Sequence, residues 1–155
     1  MTETDTSRSN RRAQIVQTIV DKTGVDEAMI HNLVHAFYAK IRQDPLIGPI
    51  FARVVGDKWD DHLAKMCDFW SSVMLMSGRY KGNPMTAHMR LKTVQPRHFE
   101  RWLEIFRQTA AENCPPEAAV AFVMRADNIA HSLQLGIFFR PGVQADAVPS
   151  RRGTP

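Results

Sequence analysis

Apolar side chains recur at helical spacing along most of the chain. A spacing of three or four residues puts side chains on one face of an α-helix. In the first long segment of this kind the apolar residues are Ile30, Leu33, Val34, Phe37 and Ile41. No segment shows the alternation of apolar and polar residues, rich in β-branched types, that predicts a strand. The pattern therefore predicts an all-α fold with five or six main helices.

Glycine and proline set the limits of the predicted helices. A leading helix is predicted over about 13–20 and is ended by Gly24. Two longer helices are predicted over 26–43 and 58–76, the second with Asp57 as a possible cap. A further helix is predicted from about Pro96, and the last one follows Pro115-Pro116. Between 44 and 50 two prolines and a glycine predict a corner, and Phe51 follows it as a lone large apolar residue. Pro84 and Pro96 leave room for only a short helix between them, and this helix carries His88.

The length and the 44% hydrophobic content suit one domain with a core of normal size. We expect this domain to span residues 13–139, between disordered polar tails at 1–12 and 140–155. The net charge of +4 would suit a nucleic-acid-binding protein, but residues 13–139 contain 14 Lys/Arg against 13 Asp/Glu. Because the excess charge lies in the tails, no nucleic-acid partner is predicted.

The sequence predicts a soluble cytoplasmic protein that does not enter a membrane. No apolar run approaches the ~20 residues that span a bilayer. The arginines near the N-terminus are not followed by the apolar region of a signal peptide. We expect Cys67 and Cys114 to be reduced thiols, since two cysteines without a secretion signal are seldom bridged.

Few side chains are placed to carry chemistry, and each has an ordinary alternative. His88 lies among apolar residues and is either a ligand or a surface or core histidine. His62 shares an apolar helix face, where one backbone carbonyl would satisfy a neutral imidazole. Tyr38 and Trp102 each bring one polar hydrogen that needs a partner when buried. The other four histidines are expected at the surface or at a helix edge: His31, His35, His98 and His131.

The motifs of the common enzyme classes are absent. The sequence contains no Gly-x-Ser-x-Gly, no phosphate-binding glycine loop and no His-Glu-x-x-His. Zinc chemistry would need three or four clustered ligands, which the sequence does not offer. A helical module without a cofactor, which docks a partner protein, stays open at this point.

Six stretches, taken in order, resemble the group III truncated haemoglobins, a bacterial branch of the small globins. They are LVHAFY at 33–38, DPLIGPIF at 44–51, HLAKMCDFW at 62–70, GRYKGNPM at 78–85, His88, and HFERWL at 98–103. The spacing agrees as well, with 26 residues from His62 to His88 and 14 from His88 to Trp102. The similarity covers about residues 13–139 and leaves only the tails. Residues 89–95 depart from the Pro-rich form of the family.

The resemblance implies a truncated globin-like sandwich of two helices on two, with a short proximal helix and one haem b (iron protoporphyrin IX). In this family a proximal histidine ligates the iron, which here corresponds to His88 as the metal ligand. The distal tyrosine corresponds to Tyr38, the distal histidine to His62 and the pocket tryptophan to Trp102. The remaining residues expected to contact the haem or line its cavity are Phe51, Met66, Phe69 and Met85. The absence of Cys-x-x-Cys-His indicates a haem without thioether links.

These expectations predict a protein that binds the diatomic gases O₂, CO and NO. Polar donors beside the gas should slow its release, so we expect tight oxygen binding rather than bulk transport or a primarily catalytic role. The alternative is an NO dioxygenase or peroxidase that uses the same haem with an external reductase, because no reductase domain is present in this sequence. We expect a monomer or a weak dimer.

Overall fold

The computed structural model describes residues 2–84, 88 and 94–138. Its helices are α1 (Thr2–Thr23), α2 (Glu27–Gln43), α3 (Gly48–Val55), α4 (Trp59–Leu75), α5 (Pro96–Asn113) and α6 (Pro116–Phe138). The described residues contain no strand. The predicted all-α class is confirmed, and five of the six helices cover the segments that apolar spacing indicated.

Local chemistry explains where these helices begin and end. The Asp26 side chain accepts a hydrogen bond from the Met29 backbone N–H at 2.8 Å, which caps the start of α2. Gly24 follows α1 with a φ of +71°, a conformation that glycine adopts at little cost. α5 begins at Pro96, whose missing N–H has no partner to lose in the first turn of a helix.

Three features at the helix ends differ from the predictions. α1 begins at Thr2, so residues 2–12 are helical where a disordered tail was expected, and those of them whose side chains are described are exposed. The predicted corner contains the helix α3, because Pro49 lies in its first turn, where proline is tolerated. The residue that precedes α4 is Lys58 rather than Asp57, and it makes no side-chain capping bond. Residues 139–155, the expected C-terminal tail, lie outside the described residues.

His98 is buried, which contradicts its predicted position at the surface or a helix edge. Its Nδ1 accepts a hydrogen bond from the Gln95 backbone N–H at 2.8 Å, so the imidazole closes the start of α5. Burial, followed by the charge of Arg97, lowers the pKa of His98 below its usual value. A capping role of this kind has no signature in apolar spacing, which explains why the sequence did not indicate it.

α2 lies at the centre of the fold and packs against α3, α4 and α5, while α5 packs along α6. Apolar faces of α5 and α6 supply much of the core, with Phe106, Ala110, Phe122 and Ala126 almost fully buried. Burying large apolar side chains of this kind contributes roughly 1.5–3 kcal/mol each. The helix pairs α2–α4 and α5–α6 are therefore held together by one continuous core.

A buried carboxylate ties the corner after α2 to α5. Asp44 accepts hydrogen bonds from the Arg101 guanidinium at 2.7 Å and from the backbone N–H groups of Leu46 and Ile47 at 3.0 Å. Burial alone would raise the pKa of Asp44, but the bonds from Arg101 and from the two backbone groups outweigh it and leave this pKa below its usual value. The corner that leads into α3 is thereby fixed against the helix that carries Trp102.

Candidate functional site

α4 carries two neighbouring apolar stripes with different exposure. Trp70 and Met74 are buried in the core. Met66, Phe69 and Val73 pack against the same core but are only half-buried. Large apolar side chains that remain half open beside a core are the usual lining of a ligand cleft. The side of α4 that holds Met66 and Phe69 therefore borders the candidate site.

A stack of aromatic rings holds Trp102 in place on α5. The rings of Trp70, Phe106 and Trp102 are nearly parallel, with successive centroids 5.1 and 5.6 Å apart and interplanar angles of 14° and 13°. Phe37 meets the Trp102 ring edge-on at 5.4 Å. Trp102 itself is half-buried, unlike Phe37 and Phe106, which are buried. Its indole thus has a fixed direction at the edge of the core.

Tyr38, on α2, lies where α2, α3 and α4 meet. Its ring is 5.0 Å from His62 at 88° and 5.8 Å from Phe51 at 68°, both edge-on contacts. Phe37, the preceding residue, contacts both the Tyr38 ring and the Trp102 ring. One aromatic cluster therefore joins Tyr38, His62, Phe51 and Trp102, although these residues come from four different helices.

Burial raises the pKa of Tyr38 well above its usual value. No hydrogen bond contributes to this shift. The phenol therefore keeps its proton throughout the physiological pH range, and its O–H is available as a donor.

His62 contains a buried polar atom without a partner. Its Nε2 is inaccessible to solvent and has no hydrogen bond within the described residues. Burial, with smaller effects from the charges of Lys65 and His88, lowers the pKa of His62 to about 4. The imidazole is neutral at pH 7. The sequence left open that a backbone carbonyl satisfies the His62 imidazole. Among the residues that the structure describes, the Nε2 of His62 has no such partner.

A backbone carbonyl group orients His88. Its Nδ1 lies 2.7 Å from the carbonyl oxygen of Pro84, one helical turn earlier. A carbonyl oxygen only accepts, so Nδ1 carries the proton and Nε2 has a free lone pair. His88 is half-buried, and its charged form would act on His62, so the two imidazoles share one region. An imidazole held by a backbone carbonyl in this way is the usual arrangement of a metal ligand.

The structure brings most of the predicted site residues together. Tyr38, Phe51 and His62 are in direct ring contact, and Trp102 joins them through Phe37. Met66 and Phe69 lie half-buried on the same helix as His62, while Met85 and most of 89–95 lie outside the described residues. The sequence did not indicate the Pro84 carbonyl as a partner of His88. The signal for it was available, because a four-residue spacing on a helix lets a side chain reach the preceding turn.

The residues present fit a haem. The half-buried apolar side chains suit a flat apolar macrocycle, and the free Nε2 of His88 suits its iron. The Tyr38 hydroxyl and the unpartnered Nε2 of His62 suit a polar ligand beside that iron. Within 2–84, 88 and 94–138, no three His, Cys, Asp or Glu side chains are grouped to hold a metal ion by themselves. In the same ranges no helix has the length and apolarity required to cross a membrane.

Comparison with known proteins defines the class of this site. The family model of the bacterial-like globins matches residues 18–134, most of the chain, so the chain belongs to the bacterial-like globins. It is also 32% identical over 113 residues to the Group 3 truncated hemoglobin ctb of Campylobacter jejuni subsp. jejuni, across 71% of this chain and 89% of that protein. A crystal structure of the group III truncated hemoglobin from Campylobacter jejuni matches 76% of this chain and 95% of that chain, with a TM-score of 0.71 and 30% identity.

The chain is therefore a member of the group III truncated haemoglobins, as the ordered stretches of the sequence predicted. The predicted truncated-globin sandwich is confirmed by the match to the solved structure. Membership of a globin family implies a haem cofactor, in agreement with the donor set described above.

Proposed function

We propose that the chain binds one haem b in the cleft bordered by α4 and α5, with His88 as the protein ligand of the iron. The observation that carries this proposal is the 2.7 Å contact between the Nδ1 of His88 and the Pro84 carbonyl oxygen. The Pro84 carbonyl holds the Nδ1 proton, and the Nε2 lone pair is left for a metal.

Haem held by one imidazole supplies an iron with an open sixth position, where diatomic gases bind. We propose that O₂, CO and NO are the ligands of this chain. Tyr38 would donate its phenolic O–H to a gas molecule in the pocket, because burial keeps that proton in place. Trp102 would donate its indole N–H from a ring that stacking holds in one orientation.

His62 is the third polar group of the pocket. Because burial keeps its imidazole neutral at pH 7, it has one N–H to donate and one lone pair to accept with. Its Nε2 has no hydrogen-bond partner within the described residues. We propose that this nitrogen pairs with the gas ligand or with a water that precedes it. Pairing would offset the desolvation cost of burying it, about 1–3 kcal/mol for a polar group of this kind.

Donors of this kind favour retention of the gas over delivery. A hydrogen bond to a charge-bearing ligand contributes about 1.5–3 kcal/mol, so two donors would slow release by two or more powers of ten. We therefore propose tight oxygen binding. Catalytic NO or peroxide consumption would use the same side chains, and NO consumption measured with an added reductant separates it from binding alone.

The test is the absorption spectrum of the purified ferrous protein, with and without CO, for the native chain and for His88→Ala. We expect haem uptake and a CO-induced spectral change in the native protein. The variant should lose the native ferrous spectrum and recover it when free imidazole is added. The matched control is His35→Ala, which removes an exposed histidine from α2 and should leave the spectrum unchanged. A native spectrum in His88→Ala would mean that the iron ligand lies elsewhere.

A further inference from the structure

Several polar contacts hold the segment between α4 and Pro84. Met76, the residue that follows α4, has the left-handed conformation with a φ of +53°, and Gly78 has a φ of +71°. Left-handed backbone is costly for a residue with a side chain, so this turn needs stabilisation from its surroundings. The segment that needs this stabilisation precedes Pro84 and His88 in the chain.

Four residues form a closed ring of polar contacts around this turn. The Ser71 hydroxyl is fully buried and lies 2.7 Å from both the Glu27 carboxylate and the Ser77 hydroxyl. The Arg79 backbone N–H donates to the Ser77 hydroxyl at 3.3 Å, and the Arg79 guanidinium lies 3.5 Å from the Glu27 carboxylate. A carboxylate only accepts, so Ser71 donates to Glu27 and must accept from Ser77. Each hydroxyl group in the ring therefore donates to one defined acceptor.

The next residues continue the fixed backbone toward the histidine. The Tyr80 backbone N–H donates to the Ser72 hydroxyl at 2.9 Å, and the Tyr80 ring packs edge-on against Phe69 at 5.2 Å. Gly82 lies beneath that ring, where a Cβ atom would come within 2.5 Å of the Tyr80 hydroxyl oxygen. From Ser77 to Gly82 the chain is thus anchored at most positions. Pro84, whose carbonyl orients His88, follows two residues later.

We propose that the ring of Glu27, Ser71, Ser77 and Arg79 is a positioning device for His88. It rests on the proposed function, in which His88 binds the iron of a haem. The ring fixes the path of the chain into Pro84, the Pro84 carbonyl fixes the imidazole plane, and the plane sets the direction of the Nε2 lone pair. A fully buried hydroxyl is costly unless it is paired, and Ser71 pairs both with Glu27 at the start of α2 and with Ser77 in the turn, so it joins the two.

The experiment compares Ser77→Ala with Ser77→Thr, a pair that removes or keeps one hydroxyl at an exposed position. Two quantities are measured on the haem-loaded protein: the iron–imidazole stretching band by resonance Raman spectroscopy and the rate of haem transfer to an excess of apomyoglobin. We expect Ser77→Ala to shift or broaden the band and to speed haem loss about fivefold, the effect of one hydrogen bond. Ser77→Thr should restore both values, and Ser71→Ala should exceed the effect of Ser77→Ala.

The control for a general loss of stability is Thr109→Ala on α5. The Thr109 hydroxyl is fully buried and donates to the Ile105 carbonyl at 2.7 Å, but it belongs to a different helix from the turn. We expect this variant to unfold more easily and to keep the native stretching band. An unchanged band in both Ser77→Ala and Ser71→Ala would overturn the positioning role while leaving the proposed function intact. A native protein without any iron–imidazole band would instead refute the proposed function itself.

Discussion

Replacing Tyr38 by phenylalanine separates the role of its hydroxyl from the role of its ring. The ring contacts with Phe37 at 4.9 Å, His62 at 5.0 Å and Phe51 at 5.8 Å are all available to phenylalanine. The hydroxyl contributes no hydrogen bond inside the chain to the pKa shift of Tyr38. Removing it should therefore leave the haem-free fold about as stable as before, because no hydrogen bond within the chain is expected to be lost.

The effect on ligand release follows from the strength of the donor. A hydrogen bond to a charge-bearing ligand is worth about 1.5–3 kcal/mol, and each 1.4 kcal/mol is a factor of ten in rate. We expect Tyr38→Phe to speed O₂ dissociation at least about tenfold. Stopped-flow mixing of the oxygenated protein with excess CO measures this rate, while urea unfolding of the haem-free protein measures the stability.

Tyr80→Phe is the matched control, since these are the two tyrosines of the chain. It keeps the ring contact with Phe69 and the backbone hydrogen bond to Ser72, so the O₂ dissociation rate should stay at the native value. Dissociation rates for Tyr38→Phe within a factor of two of the native protein would exclude the Tyr38 hydroxyl as a donor. A large loss of haem-free stability would mean that the hydroxyl has a structural partner, and the reasoning from its pKa would then be wrong.

Two further predictions concern stability as a function of pH. The folded pKa of His62, about 4, lies below its unfolded value, so the unfolded chain takes up a proton first as pH falls from about 6.5 to 4. The haem-free protein should lose up to about 3 kcal/mol of stability over this window. In urea titrations His62→Leu should remove that loss. An equal pH dependence in the variant would contradict the role of His62. The Asp44 carboxylate has a lowered pKa, so its contribution is present above about pH 4 and is lost as pH falls further. Asp44→Asn should therefore lower stability at pH 7 by about 1–3 kcal/mol and flatten the acid branch of the curve; native stability at pH 7 would refute the role of the Arg101 pair.

Predictions from local sequence were accurate where the deciding chemistry is local. The breaks at Gly24, Pro96 and Pro115-Pro116 lie at the ends of the helices they predicted. The predictions failed where a local signal has two outcomes. Pro49 either breaks a chain or begins a helix, and here it lies in the first turn of α3. His98 is a polar residue of the kind expected at the surface, but it is buried because its imidazole caps α5.

The candidate site was predicted by a different route. The resemblance to a family, and not apolar spacing, selected Tyr38, His62, His88 and Trp102 from the other polar residues. Spacing alone left each of them with an ordinary structural explanation. The geometry then removed one of those explanations, since the Nε2 of His62 lacks a partner within the described residues.

Most of the helices and the buried face of α2 followed from the sequence, because helix formation and amphipathic spacing depend on residues three or four positions apart. Only the tertiary structure decided which faces meet. It brought Tyr38 against His62 across 24 positions of the chain and joined Glu27 to Ser71 across 44. Whether a polar atom is paired or left for a ligand depends on such distant contacts, and no local pattern records them.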